Sequence, residues 1–133
     1  MQADNWGRLA RIGTFIVARE VVPEAEWWAM CPPGVSIHAA RVAAPAPWAT
    51  WREDRRSVEL APDMARGCEA FRAMRLDVAV LAHSSSSFVG GPGWDEAVIA
   101  AMTGHLAPGA VTTTNGLDTR LALARLGVAR PFL

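Results

Sequence analysis

The residues best suited to chemistry stand together in the middle of the chain. His83 is followed by four consecutive serines, Ser84 to Ser87, and then by the glycine-rich stretch 90–93. Hydroxyls donate hydrogen bonds to anions, glycines let backbone N–H groups approach a ligand, and histidine moves protons near neutral pH. The pattern predicts an anion site. A flexible linker is the alternative, but linkers are uncommon between a buried strand and its crossover helix.

This stretch lacks the signatures of phosphate sites and of serine hydrolases. Gly91-Pro92-Gly93 has no third glycine of the dinucleotide fingerprint, and no Gly-Lys-Ser/Thr sequence occurs in the chain. No glycine stands two residues before any of the four serines, as the hydrolase elbow requires. The anion that we expect is therefore a carboxylate.

Elements of alternating type must position these residues. Apolar, β-branched runs predict strands, and apolar stripes at helical spacing predict helices between them. We expect an α/β fold with a doubly wound, mostly parallel sheet of four to five strands flanked by helices. The predicted strands are 11–17, 35–42, 77–82, 110–114 and one starting at Val128; the predicted helices are 23–30, 62–75, one opened by Gly93 and one ended by Gly127.

Two details of this pattern are specific enough to test. Residues 43–57 carry prolines, tryptophans and a charge cluster, which indicates a surface excursion. In the last helix Asn115 is suited to cap the first turn, and helical spacing turns Leu117, Leu121 and Ala124 inward. Ligands of such sheets bind beyond the carboxyl ends of the strands, where the serine run follows the third strand.

Composition limits the partners. The 133 residues suit one domain, 1–133, with 51% hydrophobic residues and a formal net charge of +0, which gives no electrostatic reason to expect nucleic acid or an anionic membrane. The chain has no Lys, so it forms neither a Schiff base nor a P-loop. Cys31 and Cys68 match no metal spacing and suggest two free, buried thiols in a reducing cytoplasm. No signal peptide and no membrane-spanning run are evident.

Three segments carry a resemblance to a known family. "RIGTFIV" with "PEAEWWAMCPPGVSIHAARV", "LDVAVLAHSSSSFVGGPGWDEAV" and "AVTTTNGLDTRLALARLGV" resemble the N-terminal half of the maleate cis-trans isomerase and arylmalonate decarboxylase group of the aspartate/glutamate racemase superfamily. The resemblance covers almost the whole chain. It implies two similar α/β halves, no cofactor, and substrate carboxylates held between the halves with one catalytic Cys from each.

The resemblance also implies roles for individual residues. His83 stands where the family has its first Cys, and Ser84 and Ser85 match the hydroxyl pair that holds a carboxylate or an enediolate oxygen. These three are the predicted catalytic residues. The predicted substrate-binding residues lie in the serine–glycine stretch, at the next strand end and in the first helix: Ser87, Gly90, Gly91, Thr113, Thr114 and Glu26.

Two departures from the family shape the expected function. A His at position 83 forms no thioether-like adduct, so proton transfer or decarboxylation is expected instead of covalent isomerisation; the alternative is that His83 only hydrogen-bonds a backbone carbonyl. The second half, with the second Cys, is missing from these residues, so the chain is expected to be the N-terminal part of a longer enzyme. We also expect a homodimer, because a chain ending inside a strand exposes an unpaired edge.

Three hypotheses follow from these observations. The first is a cofactor-independent isomerase or decarboxylase that acts on a small carboxylate or dicarboxylate. The second is a catalytically degenerate or truncated carboxylate-binding paralogue. The third is a nucleotide- or flavin-binding α/β domain.

Overall fold

The computed structural model describes residues 5–130, whose strands and helices alternate along the chain. In chain order they are β1 (Ala10–Val17), α1 (Val22–Met30), β2 (Val35–Val42), β3 (Ala49–Trp51), β4 (Val58–Leu60), α2 (Pro62–Met74), β5 (Val78–Leu81), α3 (Ser84–Gly90), α4 (Trp94–His105), β6 (Val111–Thr114) and α5 (Asn115–Arg125).

A four-stranded parallel sheet with the order β2-β1-β5-β6 forms the centre of the fold. β1 pairs with β2 from Ala10↔Val35 to Val17↔Val42, and with β5 on its other side. Because all four strands run in one direction, their carboxyl ends meet at one edge of the sheet. The predicted α/β fold with a doubly wound parallel sheet is confirmed.

The core lies between one face of this sheet and helices α2 and α4. Phe15 on β1 meets Phe71 on α2 edge to face, with ring centroids 5.0 Å apart, and Val98 and Met102 of α4 are fully buried. Gly13 permits this close packing, because a Cβ at that position would overlap the side chains of Leu76 and Phe71.

The opposite face of the sheet is covered less completely. Trp27 and Met30 of α1 lie beside Ile12 and Ile37, yet neither α1 nor α5 has a fully buried residue. The prediction that Leu121 and Ala124 face inward is wrong, because both are exposed. α5 contacts β6, at the edge of the sheet, and α3.

The end of the chain also differs from expectation. Thr114 caps α5, since its side chain accepts the Leu117 N–H, and the helix starts at Asn115. Thr114 is the last residue of β6 and has the extended backbone of an N-cap, which leaves Asn115 inside the helix. Residues 128–130 form no strand. The rest of the predicted fifth strand lies outside the described residues.

The predicted surface excursion is partly wrong. Residues 49–51 and 58–60 form an antiparallel hairpin, β3–β4, and Trp48 and Ala49 are buried. The Trp94 indole N–H donates to the Ala49 carbonyl at 2.9 Å, and the Trp51 indole N–H donates to the Gly90 carbonyl at 2.9 Å. Tryptophans thus bury one side of this segment, whereas its charged tip, 52–57, stays exposed.

Two further predictions concern the cysteines and membrane-spanning helices. Cys31 and Cys68 are both free thiols, as expected, but the expected burial holds for Cys68 only, because Cys31 at the end of α1 is partly exposed. Across residues 5–130 no helix has the length and apolar character needed to cross a membrane.

Candidate functional site

An open cavity of about 560 Å³ lies at the carboxyl edge of the sheet. The ends of β1, β2 and β5 meet there, which is where parallel α/β sheets bind their ligands. The polar side chains in its wall are those of Arg19, Ser85 and His83; the Trp48 indole and apolar side chains form the rest of the lining. The residues that line it are Val17, Ala18, Arg19, Val42, Ala43, Ala44, Pro45, Ala46, Trp48, His83 and Ser85.

His83 lines this cavity two positions after the end of β5, at the N-cap position of α3. Its ring stacks on the Trp48 indole with centroids 4.1 Å apart and an interplanar angle of 13°. Its Nδ1 lies 2.8 Å from the hydroxyl of Ser86. The hydrogen-bond partner of His83 is therefore a side chain and not the backbone carbonyl of the alternative interpretation.

The four serines have four different environments. Ser84 is exposed and lies outside the cavity, whereas Ser85 lines it. Ser86 is fully buried and accepts the Trp48 backbone N–H at 3.0 Å, and Ser87 donates to Asp95 at 2.7 Å. Because the serines are helical, successive side chains point about 100° apart and cannot all reach one ligand. The structure thus brings two of the three predicted catalytic residues, His83 and Ser85, into one cavity.

The protonation of His83 follows from its surroundings. Burial lowers the pKa of His83, and the negative charge of Glu20 opposes this effect in part. The net shift is downward, so the ring is neutral at pH 7. A neutral imidazole carries one N–H donor and one acceptor nitrogen.

The glycines and Ser87 have structural roles in the described chain. The Gly90 carbonyl accepts from Trp51, and a Cβ at Gly90 would overlap the Trp94 ring. Gly91 ends α3 with a φ of 77°, a value that favours glycine. Ser87 is engaged by Asp95. None of these three predicted substrate-binding residues lines the cavity.

The other three predicted substrate-binding residues also lie outside the cavity lining. Thr113 donates to Asp118 at 2.6 Å, and Thr114 is buried as the cap of α5. Glu26 is exposed on α1. β6 is the outer strand on the far side of β5, and its end does not contribute to the space bounded by β1, β2 and β5.

Arg19 and Trp48, the other two lining residues with a polar or aromatic side chain, were not among the predicted site residues. Arg19 follows β1 by two positions and so lies at a strand end, where parallel sheets bind ligands, but the residue predicted from this part of the chain was Glu26 of α1. Trp48 follows Pro47 in the segment that was interpreted as exposed, and no periodic signal places it under His83. No group of three or more His, Cys, Asp or Glu side chains in the described part of the chain is arranged to hold a metal ion.

Comparisons with protein-family models and with curated proteins find no match for this chain. The function must therefore be argued from the geometry of the cavity.

Proposed function

We propose that this protein binds a small carboxylate or dicarboxylate in the cavity at the carboxyl edge of the sheet and promotes cofactor-independent isomerase- or decarboxylase-type chemistry on it. The observation that carries the proposal is the meeting of Arg19, Ser85 and His83 around one cavity of about 560 Å³. This volume suits a small molecule.

The chemical types of the lining support an anionic ligand. Arg19 supplies a positive charge, which forms short, strong hydrogen bonds with carboxylates. Ser85 and the neutral ring of His83 supply further donors. Donors aimed at a carboxylate also stabilise the enediolate that forms when a carbon next to it loses CO₂ or a proton, because the negative charge moves onto the same oxygen atoms. The resemblance of the motif to the maleate isomerase and arylmalonate decarboxylase group points to the same chemistry.

A second candidate function is supported by a different observation. His83 is the only side chain in the lining that can exchange a proton near pH 7, since the other described lining residues include no Cys, Asp or Glu. A protein that binds a carboxylate without turning it over needs no second acid or base. The alternative is therefore a carboxylate-binding protein without catalytic activity.

Calorimetric titration with malonate tests the binding site. We expect saturable binding, and Ser85→Ala should weaken it about 10- to 100-fold, because a hydrogen bond to a charged group contributes about 1.5–3 kcal/mol. Ser57→Ala is the matched control, since Ser57 lies in the exposed tip of the β3–β4 hairpin. Equal affinities of the wild-type and Ser85→Ala proteins would remove Ser85 from the site.

Turnover separates the two functions. The wild-type chain is incubated with ¹³C-carboxyl-labelled phenylmalonate and with maleate, and the products are followed by ¹³C NMR. Labelled CO₂ or fumarate, lost in Ser85→Ala, supports the enzyme. Saturable malonate binding without either product supports the binding protein.

The oligomeric state and the location of the protein are also proposed. We propose a homodimer, because α3 carries exposed apolar side chains such as Phe88 (80% exposed), and a cytoplasmic location, because both thiols are free. Sedimentation velocity tests the first: a single species of monomer mass at all concentrations would contradict it.

A further inference from the structure

The ring of His83 has one nitrogen engaged by the protein and one that faces no protein partner. Nδ1 lies 2.8 Å from the Ser86 hydroxyl, and no described residue forms a hydrogen bond with Nε2. The ring also lines the cavity. What His83 offers a ligand therefore depends on which nitrogen carries the proton.

The hydrogen bonds of Ser86 decide that question. Its hydroxyl is fully buried, so its single proton must find an acceptor inside the protein. The Trp48 backbone N–H already donates to Ser86 Oγ at 3.0 Å. The one remaining partner is His83 Nδ1, and the hydroxyl proton is satisfied only when Ser86 donates it there. Nδ1 is then an acceptor, and the proton of the neutral ring lies on Nε2.

The other protonation states conflict with this network. If Nδ1 carried a proton, Ser86 Oγ would accept two hydrogen bonds, and its own buried O–H would have no acceptor. The doubly protonated ring has the same defect. Stacking on Trp48 fixes the plane of the ring. A 180° rotation about the Cβ–Cγ bond would keep that plane but replace Nδ1 by Cδ2 at Ser86, and the buried hydroxyl would lose its acceptor. Of the two charged residues in the β1–α1 loop, Glu20 favours a positive ring, and Arg19 lines the same cavity as His83; segment 43–48 and α3 contribute no charged side chain.

We propose that Ser86 is a positioning residue: it receives the Trp48 N–H and donates to His83 Nδ1, and so keeps the ring in the neutral Nε2–H form that meets a ligand oxygen as a hydrogen-bond donor and not as a base. The identity of the ligand rests on the proposed function, but the state of the ring does not.

This state of the ring favours one class of reaction. In decarboxylation of a malonate the C–C bond breaks, CO₂ leaves, and the electron pair moves onto the remaining carboxylate as an enediolate. The Nε2–H stabilises that charge, and water then protonates the carbon and leaves hydroxide. A reaction that begins with proton abstraction needs an unprotonated Nε2 and hence a different arrangement of Ser86.

The ¹⁵N NMR spectrum of the histidine side chains in the ligand-free, ¹⁵N-labelled chain tests the proposal. Between pH 7 and pH 8 we expect His83 in a single tautomer, with an acceptor-type Nδ1 and a protonated Nε2. A protonated Nδ1, or an even mixture of tautomers, would overturn it. Because no ligand is needed, a failure here is distinct from a failure of malonate binding, which would overturn the proposed function alone.

Variants of Ser86 test its role. Ser86→Ala should convert His83 to a mixture of tautomers and raise the pKa of its ring, while Ser57→Ala leaves both unchanged. Ser86→Thr keeps a hydroxyl and should retain the single tautomer. His38, whose Nε2 lies 2.8 Å from Ser36 Oγ, is an internal reference that should not respond. If Ser86→Ala folds and keeps the wild-type tautomer, Ser86 is not the positioning residue; if it does not fold, the wild-type and Ser86→Thr spectra decide.

Discussion

Single side chains at the carboxyl edge of the sheet determine what the cavity can bind. The serine run predicted that His83 and Ser85 take part, because they directly follow a buried strand. It could not predict which serines face the cavity, since that depends on the start of a helix that sequence reasoning missed. It also could not predict the stacking of His83 on Trp48, a contact between residues 35 positions apart in the chain.

Arg19 is the cavity residue whose charge should matter most for affinity. Arg19→Gln is expected to weaken malonate binding about 3- to 10-fold, because an exposed cation forms a screened interaction with an anion. Rising NaCl should weaken binding to the wild-type chain and have less effect on the variant. Calorimetric titration at two salt concentrations measures both effects, and Arg56→Gln in the exposed hairpin tip is the control. Equal affinities of the wild-type and Arg19→Gln proteins would exclude Arg19 from the site.

The lowered pKa of His83 links this residue to stability. The unfolded chain takes up a proton on this ring near its usual pKa of about 6.5, whereas the folded chain resists protonation until lower pH. The free energy of unfolding should therefore fall as the pH is lowered through about 6.5. Burial and then Arg11 lower the pKa of His38, which adds to the same trend.

Urea unfolding at several pH values, followed by tryptophan fluorescence, measures this dependence. His83→Gln should reduce the fall between pH 7 and pH 5.5 without removing it, because His38 remains. An unchanged pH dependence in His83→Gln would show that the folded chain does not disfavour the protonated ring of residue 83.

Elements with a clear apolar pattern were the easiest to predict. β1, β2 and β5 appear as short apolar runs, and α2 and α4 as apolar stripes, so their positions follow from the sequence. The β3–β4 hairpin was missed because its strands have three residues each and flank a charged tip. α3 was missed because serine is a poor helix former; tertiary contacts of Ser86, Ser87 and Gly90 stabilise it instead.

The packing of α3 against α4 depends on the absence of a side chain at Gly90. Gly90→Ala places a Cβ within the Trp94 indole ring and should destabilise the fold by about 1–3 kcal/mol. Gly104 is the matched control, a helical glycine of α4 whose Cβ would meet no atom within 4 Å. Gly104→Ala should be neutral or stabilise by about 0.4–1 kcal/mol. Chemical denaturation compares the two, and equal stabilities would contradict this packing.

The two thiols should react with a thiol reagent at different stages of unfolding of the whole chain. Burial, with a smaller effect from Glu69, raises the pKa of the Cys68 thiol to about 12 and removes the reactive thiolate at neutral pH. Cys31 is only partly buried, at the end of α1. A thiol reagent should therefore label Cys31 rapidly and Cys68 only when the core opens.

Mass spectrometry of the labelled chain over a urea series tests this expectation. Labelling of Cys68 should begin only where tryptophan fluorescence reports unfolding, and Cys31→Ser should remove the fast phase. Rapid labelling of Cys68 in native buffer would mean that the core between α2 and the sheet opens readily.

A malonate titration followed by ¹H–¹⁵N NMR tests whether a carboxylate binds at the edge where β1, β2 and β5 end. We predict saturable shifts concentrated at Arg19, Trp48, Ser85 and the His83 side chain, with little change in the exposed hairpin tip 52–57. Saturable shifts that leave the signals of these four residues unchanged, or no saturable shifts at all, would rule out carboxylate binding in this cavity.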